Sequence, residues 1–284
     1  MDHLETTFAN AAAILAGMAA LSLLEAAIPL HARGRLGRAH LAPNLALTVL
    51  GFATNALLDA GLVAALVWLE PRGLLPRLAL PPLAAGVLVV LALDFAFYVA
   101  HVAMHRIPAF WRFHRIHHSD PAVDVTTTVR QHPGESVIRH AFLAAFAIPL
   151  GASAASFALY RAASVLSALL EHANQRLPPR LDTLLSLVFT WSNLHKLHHS
   201  RDVRFTDTNY GNVVSWWDRL FATFTPARLG ANVSYGLDGL DDPAAQSTAG
   251  LLALPLRATR AASPARSRAD SPARRSAAPD PRRA

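Results

Sequence analysis

Three apolar runs in the first third of the chain restrict what it can fold into. They cover residues 8–30, 45–69 and 82–100, and each approaches or exceeds the roughly 20 residues that a helix needs to cross a bilayer. Only 16% of the 284 residues are charged, whereas soluble domains have about 25%. The sequence therefore predicts an all-α fold, a polytopic membrane helical bundle, with a cytosolic, histidine-rich helical cap.

The first run could also be read as a secretory signal peptide. Its flank argues against this, because the chain starts Met1-Asp2-His3 and has no basic segment before the run. The run is also longer than the apolar region of about 7 to 15 residues that signal peptides carry. We expect a retained helix.

Arginines near the predicted spans indicate the orientation. Three follow the first run, two follow the second and three follow the third: Arg33, Arg35, Arg38, Arg72, Arg77, Arg106, Arg112 and Arg115. Because positive loops stay inside, the end of the third run is predicted to face the cytosol. We expect a multi-pass protein of the bacterial inner membrane with its site on the cytoplasmic side.

The net charge of +7 comes mostly from the C-terminus, where residues 257–284 hold eight arginines and two aspartates. This Arg-, Pro- and Ser-rich tail is predicted to be disordered, either simply solvated or attracted to anionic lipid, and not a nucleic-acid binder. The predicted division of the chain is 1–93 for the membrane helices, 94–226 for a catalytic region, 227–256 for an extension and 257–284 for the tail.

Histidines gather in three short clusters, "HVAMH" at 101–105, "HRIHH" at 114–118 and "HKLHH" at 195–199. Residues four apart share a helix face, and Asp94 lies near the stripe of the first pair. The second cluster is predicted to place His114 and His117 on one face with His118 beside them, and the third repeats this with His195, His198 and His199. Eight imidazoles are too many for one ion of four to six ligands, and the chain has no cysteine. Two metals are predicted, with iron favoured over zinc because iron can activate O2 against a lipid C–H bond.

The three clusters can share one site only if the chain between residues 118 and 195 returns to the same side. The segment 140–170 is apolar, with Pro149 and Gly151 near its middle. It predicts a helical hairpin, either a full pair of crossings or a re-entrant one.

The motifs resemble the fatty acid hydroxylase and sterol desaturase superfamily. The resemblance rests on "DFAFYVAHVAMH" at 94–105, "FWRFHRIHHS" at 110–119, "RQHPGE" at 130–135, "HAN" at 172–174, "NLHKLHHS" at 193–200 and "NYGNVVSWWDRLFATF" at 209–224. One departure is Ala222, where the family commonly has glycine; we expect it to have little effect.

This resemblance implies a membrane-bound, O2-dependent hydroxylase or desaturase with a diiron centre. The implied ligands are His101, His105, His114, His117, His118, His172, His195, His198 and His199. His132 and Glu135 are implied as ligands or as hydrogen-bond partners of ligands, unless "HPGE" is only a structural turn. Asp94, Glu171 and Asn174 are further candidates for holding a ligand in place.

The expected substrate is a lipid, sterol-like or fatty acyl, with sphingoid, ether-lipid and carotenoid oxidation as alternatives. No dinucleotide fingerprint or haem domain is evident, so electrons are expected from a separate partner such as a ferredoxin or cytochrome system. The rival class is a histidine-rich membrane metal-binding protein or transporter. A transporter would need acidic side chains along its spans. The three predicted spans contain only three acids, Glu25, Asp59 and Asp94, which argues against this class. The isolated His3, His31 and His40 are expected to be hydrogen-bonded structural residues.

Overall fold

The computed structural model describes residues 3–30, 39–175, 177–230 and 233–257. Within these ranges the regular elements are all helices, and the all-α prediction is confirmed. The helices are α1 His3–Ala27, α2 Leu41–Leu69, α3 Leu74–Leu78, α4 Pro82–Arg106, α5 Pro108–His118, α6 Pro133–Leu150, α7 Ala154–His172, α8 Pro179–Leu185, α9 Ser192–His198, α10 Val203–Thr206, α11 Trp216–Leu220, α12 Pro243–Gln246 and α13 Thr248–Ala253. His31, the side chain of His3 and the tail from residue 258 lie outside the described residues.

Two helical segments are long and apolar enough to cross a membrane, Leu41–Leu78 and Pro82–Arg106. Their outward side chains, such as Leu57 and Leu83, are largely exposed, as expected for helices that contact lipid. The first predicted span is helical as well, and its residues 11–27 form a further apolar helical stretch within α1. The two long segments indicate a membrane protein.

Helices α2, α4, α6 and α7 pack around a shared apolar core that includes Leu66, Leu93, Leu143 and Tyr160. Helices α6 and α7, with the turn between them, form a helical hairpin over the predicted segment 140–170. Its turn is possible because Gly151 adopts a positive φ of 68°, and a Cβ there would lie 2.8 Å from the carbonyl oxygen of Glu70. The hairpin turn therefore contacts the turn that ends α2, far from the histidine clusters.

Pro108 brings the first two histidine clusters together. A proline has no N–H to continue α4 and disfavours helical geometry in the residue before it, and Ile107 is accordingly extended, with φ −97° and ψ 114°. The chain turns at this point and starts α5 with Pro108 in its first turn. Helix α5 then packs beside the last turns of α4, which carry His101 and His105.

Two of the three acids in the predicted spans bind other parts of the fold. The Glu25 carboxylate accepts hydrogen bonds from the backbone N–H groups of Val125 and Asn174, at 2.8 and 2.7 Å. The carboxylate of Asp59 pairs with His140 at 2.9 Å and with Arg161 at 3.0 Å. These two acids link α1 and α2 to the histidine-bearing region and to the hairpin.

Candidate metal centre

Nine buried histidines form two adjoining groups at one end of the bundle. The first group, called here the five-histidine group, contains His101, His105, His114, His118 and His198. The second, the four-histidine group, contains His117, His172, His195 and His199. Within each group the ligand-type nitrogens all lie within 4.8 Å of one another. The structure thus brings together all nine histidines that the sequence analysis named as ligands.

Helical spacing divides each triplet between the two groups. On α5, His114 and His118 are four residues apart and join the five-histidine group, while His117 faces the four-histidine group. The second triplet, at 195–199, places two histidines in the four-histidine group and one in the five-histidine group. His195 and His199 join the four-histidine group, and His198 crosses to the five-histidine group.

Backbone carbonyl groups fix the tautomers of three of these rings. The Nδ1 atom of His101 lies 2.8 Å from the Tyr210 oxygen, that of His198 2.7 Å from the Thr208 oxygen, and that of His172 2.7 Å from the Ala168 oxygen. A carbonyl oxygen only accepts, so each Nδ1 carries the proton. The Nε2 atom of each neutral ring then presents a lone pair.

Two of these lone pairs point at each other, because the Nε2 atoms of His101 and His198 are 3.1 Å apart. Burial lowers the pKa of His198 to about 3, so this ring is neutral at neutral pH and its single proton is the one on Nδ1. The Nε2 atoms of His172 and His117 are 3.0 Å apart, and there the Nε2 of His117 is able to donate. In the His101–His198 pair both atoms are acceptors, and two acceptors in contact repel unless a cation lies between them. The donor set therefore fits metal ions, and neutral imidazole suits Zn, Cu, Fe and Ni.

Carboxylates approach the outer nitrogens of three other rings. Glu135 lies 3.2 Å from Nδ1 of His114, and Asp207 lies 3.4 Å from Nδ1 of His105. Glu171 lies 3.7 Å from Nδ1 of His195. Burial in the apolar interior raises the pKa of Glu171 well above its usual range. None of the three Nδ1 atoms has a hydrogen-bond partner among the described residues, so these carboxyl groups lie near the rings without being bonded to them. Carboxyl groups that do bond to metal-binding imidazoles orient them and strengthen them as ligands.

Three predicted site residues contact other parts of the fold. Asp94 accepts hydrogen bonds from the backbone N–H groups of Val213 and Val214 and from Nε1 of Trp217. Its carboxylate therefore fixes the segment 213–217 and does not bond to a histidine of either group. His132 belongs to neither group. It is the N-cap of α6, and its Nδ1 accepts from the Gly134 N–H at 2.9 Å.

The third, Asn174, contacts α1 and the segment after it through its main chain. Its N–H donates to Glu25 and its carbonyl accepts from the Leu30 N–H at 3.2 Å. Asn174 therefore follows the ligand-type His172 in sequence but serves to attach the N-terminal helix.

Sequence reasoning missed the partners supplied by residues 207–210. Asp207, Thr208 and Tyr210 contact His105, His198 and His101 through one carboxylate and two carbonyl oxygens. The aromatic ring of Tyr210 also packs 5.0 Å from that of His105. Every residue has a backbone carbonyl, so the sequence cannot show which carbonyl contacts a histidine. Among these three partners only the side chain of Asp207, the first residue of "DTNYGN", could have been proposed from the sequence.

The fold and the site together define a class, the membrane helical bundles with multi-histidine centres. The fatty acid hydroxylase family model matches residues 86–223, which include all nine histidines. This match, together with the relatives below, confirms the predicted resemblance to the fatty acid hydroxylase and sterol desaturase superfamily over residues 86–223.

Individual relatives each match about half of the chain. Alkylglycerol monooxygenase of Caenorhabditis elegans is 34% identical over 152 residues, which cover 51% of this chain and 28% of that protein. Ornithine lipid hydroxylase of Rhizobium tropici is 32% identical over 148 residues, 51% of this chain and 43% of that protein. The chain therefore spans less than half the length of these two relatives. No solved structure matches it significantly.

Proposed function

We propose that this chain is an integral membrane, O2-dependent lipid hydroxylase whose nine clustered histidines hold two iron ions. One observation carries the proposal: His101 and His198 direct lone pairs at each other across 3.1 Å, with both Nδ1 protons committed to carbonyl oxygens. Two groups of imidazoles call for two ions. Iron is favoured over zinc because the similar enzymes are named as hydroxylases and monooxygenases, and zinc has no redox chemistry.

The reaction requires reductant as well as O2. A lipid C–H bond, O2, two electrons and two protons give an alcohol and one water molecule. When bound, the two irons would supply the activation of O2. The histidines hold the metals, the carbonyl oxygens of Tyr210 and Thr208 set the tautomers of two rings, and burial excludes bulk water. The electrons would come from a separate ferredoxin or cytochrome system.

The substrate is proposed to be a membrane lipid. The similar proteins are named for alkylglycerol and ornithine lipid, and a weaker match is a cholesterol 25-hydroxylase-like protein of Danio rerio, 24% identical over 136 residues. These names favour hydroxylation over desaturation. The same hydroxylation reaction would apply to a fatty acyl, sterol-like, ether-lipid or carotenoid substrate.

The proposed catalytic region is 94–226, on the cytoplasmic side of a bacterial inner membrane. Arginines after the first and third apolar runs support that orientation. The alternative, a metal transporter, is disfavoured because Asp59 is paired with His140 and Arg161, and Asp94 is bonded to the loop at 213–214. These acids are engaged within the protein.

The test combines metal analysis with isotope labelling. Detergent-purified protein, expressed with iron and without added zinc, should contain about two irons per chain with a coupled diiron signal in Mössbauer spectra. Incubation with lipid extract, a reducing system and labelled O2 should place the label in a hydroxylated lipid. Zinc as the bound metal, or product oxygen derived from water, would overturn the proposal.

A further inference from the structure

The corner where α4 ends and α5 begins is exposed and positively charged. Five of its residues are exposed: Arg106, Ile107, Pro108, Ala109 and Arg112. The segment 95–119 around it contains three arginines and no acidic residue. The charge of this corner is therefore not balanced from within the segment, and the small side chains of Pro108 and Ala109 leave it open to a partner.

Two of the three arginines point outward. The third, Arg115, is buried, and its Nη2 donates to the carbonyl oxygen of Leu254 at 2.6 Å. Acids elsewhere on this side of the bundle pair with other arginines: Asp202 with Arg204, and Asp238 and Asp241 with Arg201. Arg106 and Arg112 thus form a small basic surface, called here the α4–α5 corner.

Trp111 connects the α4–α5 corner to the five-histidine group. Its side chain is partly exposed. The centroid of its indole ring lies 5.1 Å from that of the His105 ring and 5.5 Å from that of the His118 ring. Both of these histidines belong to the five-histidine group. One aromatic side chain therefore extends from the surface to two of the proposed metal ligands.

Two other aromatic side chains contact this group among the described residues, and both lead inward. Tyr210 packs against His105 and is fully buried. Phe97 lies 5.7 Å from His101 and packs against the apolar core of the bundle. Trp111 is therefore the aromatic contact that joins the five-histidine group to the basic surface.

We propose that the α4–α5 corner is the docking site of the electron donor, a small acidic one-electron carrier, and that Trp111 conducts its electrons to the five-histidine group. The inference rests on the proposed function. In each transfer one electron leaves the reduced donor and one ferric ion of the centre becomes ferrous, and no bond forms or breaks. Two such transfers supply the two electrons that hydroxylation consumes.

Charge and size both suit this partner. Electron-transfer complexes are small, with less than about 1,200 Å² of buried surface, so a compact basic corner is sufficient. Opposite charges accelerate the encounter of the two proteins, and salt screens them. The rate of electron transfer falls steeply with distance, so a conjugated ring between the surface and the ligands shortens the gap. An anionic lipid headgroup could pair with the same arginines, but it has no use for Trp111.

Binding of a plant-type [2Fe–2S] ferredoxin, a small acidic protein, tests the docking site. The full chain is placed in neutral phosphatidylcholine nanodiscs, and its affinity for oxidised ferredoxin is measured at low and high salt. The double variant Arg106→Gln/Arg112→Gln should bind about three- to tenfold more weakly at low salt, and its affinity should depend less on salt. Arg77→Gln is the matched control, because Arg77 is also exposed but lies in α3, beside the hairpin turn.

The route through Trp111 is tested by anaerobic stopped-flow reduction. At saturating reduced ferredoxin, Trp111→Leu should slow the first-order reduction of iron without changing the affinity, and Trp111→Phe, which keeps a ring, should slow it less. The iron content of each variant is measured on the same samples. A purely structural role for Trp111 would lower the iron content and leave the rate per iron unchanged, and this result would overturn the route.

Equal ferredoxin affinity in the double variant and wild type would overturn the docking site, and so would a wild type that does not bind ferredoxin at low salt. If the double variant keeps its affinity but loses co-purified phosphatidylglycerol, the corner contacts lipid headgroups and the inference is wrong.

The same experiments separate this inference from the proposed function. Two irons and a hydroxylated lipid, together with an unchanged affinity in the double variant, would reject the docking site alone. Ferredoxin binding that depends on both arginines, in a protein that holds zinc, would support the docking site and reject the proposed oxidant.

Discussion

His101 and His198 lie 97 residues apart in sequence, yet their Nε2 atoms are 3.1 Å apart, and each ring donates its Nδ1 proton to a backbone carbonyl. Hydrogen bonding therefore cannot account for the close approach of the two rings. A shared cation can, and this makes the pair the most direct test of the metal centre.

Replacing His198 with alanine should remove the metal from the five-histidine group and abolish hydroxylation. The remaining imidazoles of that group lose the ligand that connects α9 to α4. Iron analysis of the purified variant should show a loss of about one ion per chain relative to wild type.

The matched control is His132→Ala. His132 caps α6 and lies in neither group, so this variant should keep its metal and lose only about 1 kcal/mol of stability. Equal metal loss in both variants would contradict the assignment of His198.

The carboxylate of Asp207 is predicted to support His105 from outside the five-histidine group. Asp207→Asn keeps the shape but removes the charge, and changes of this kind typically weaken metal binding by about 10- to 100-fold. Competition with a chelator measures the effect. Asp238→Asn is the control, since the Asp238 side chain is 90% exposed. Metal retention equal to this control would show that Asp207 has no such role.

Much of the site was predictable because it depends on local spacing. The interval of four residues between His101 and His105 places both on one face of α4. The pairing of His114 with His117 was wrong, because the structure pairs His114 with His118, four residues on, and directs His117 to the other group. The assignment of each histidine to a group was not predictable. It depends on how α5 turns after Pro108 and on how α9 packs against α7, and both are long-range features.

Two of the candidate residues, His132 and Asp94, lie outside the histidine groups for physical reasons. His132 is followed by Pro133, a residue favoured in the first turn of a helix, so "HPGE" carried a capping signal beside its resemblance to a ligand block. Asp94 lies seven residues before His101 and shares its face, but its partners come from Val213 and Val214, more than 100 residues away. No local pattern identifies such partners.

Ala222 occupies a backbone position that suits glycine. Its φ is +56°, in the left-handed region that costs a residue with a Cβ about 1 to 2 kcal/mol. Ala222→Gly should therefore raise stability slightly, by up to about 1 kcal/mol once the greater freedom of glycine in the unfolded chain is subtracted. Thermal unfolding in detergent measures this.

Ala162→Gly is the comparison, because Ala162 is exposed within α7 and glycine there should destabilise the helix by about 1 kcal/mol. Destabilisation of similar size in both variants would contradict the backbone argument. The departure from the family's usual glycine would then need another explanation.

Glu25 should be important for attaching α1 to the histidine-bearing region. Glu25→Ala removes the acceptor for the Val125 and Asn174 N–H groups, and each buried donor left unsatisfied costs about 1 to 3 kcal/mol. Glu25→Gln keeps an oxygen acceptor and should recover most of this loss. Similar melting temperatures for the alanine variant and wild type would show that these bonds do not stabilise the fold.

His40 should make stability depend on pH. Burial opposes its charge, but the carboxylates of Asp120 and Asp124, at 2.8 and 3.5 Å, outweigh burial and raise its pKa to about 10. Asp120 also faces the Arg130 guanidinium, which is bonded to Asn44 beside it. Because the folded-state pKa is above the unfolded value of 6.5, the stabilisation is complete below pH 6.5 and is lost as the pH rises through about 10.

His40→Gln cannot gain or lose this proton, so its melting temperature should change less than that of wild type between pH 6.5 and about 10. The difference between the two profiles isolates His40 from other groups that titrate in the same range. The variant should also be less stable than wild type at pH 6.5, where the ion pairs are fully formed. Parallel profiles would mean that the His40 pKa is the same in the folded and unfolded chains, and that the two carboxylates do not hold a charged imidazole.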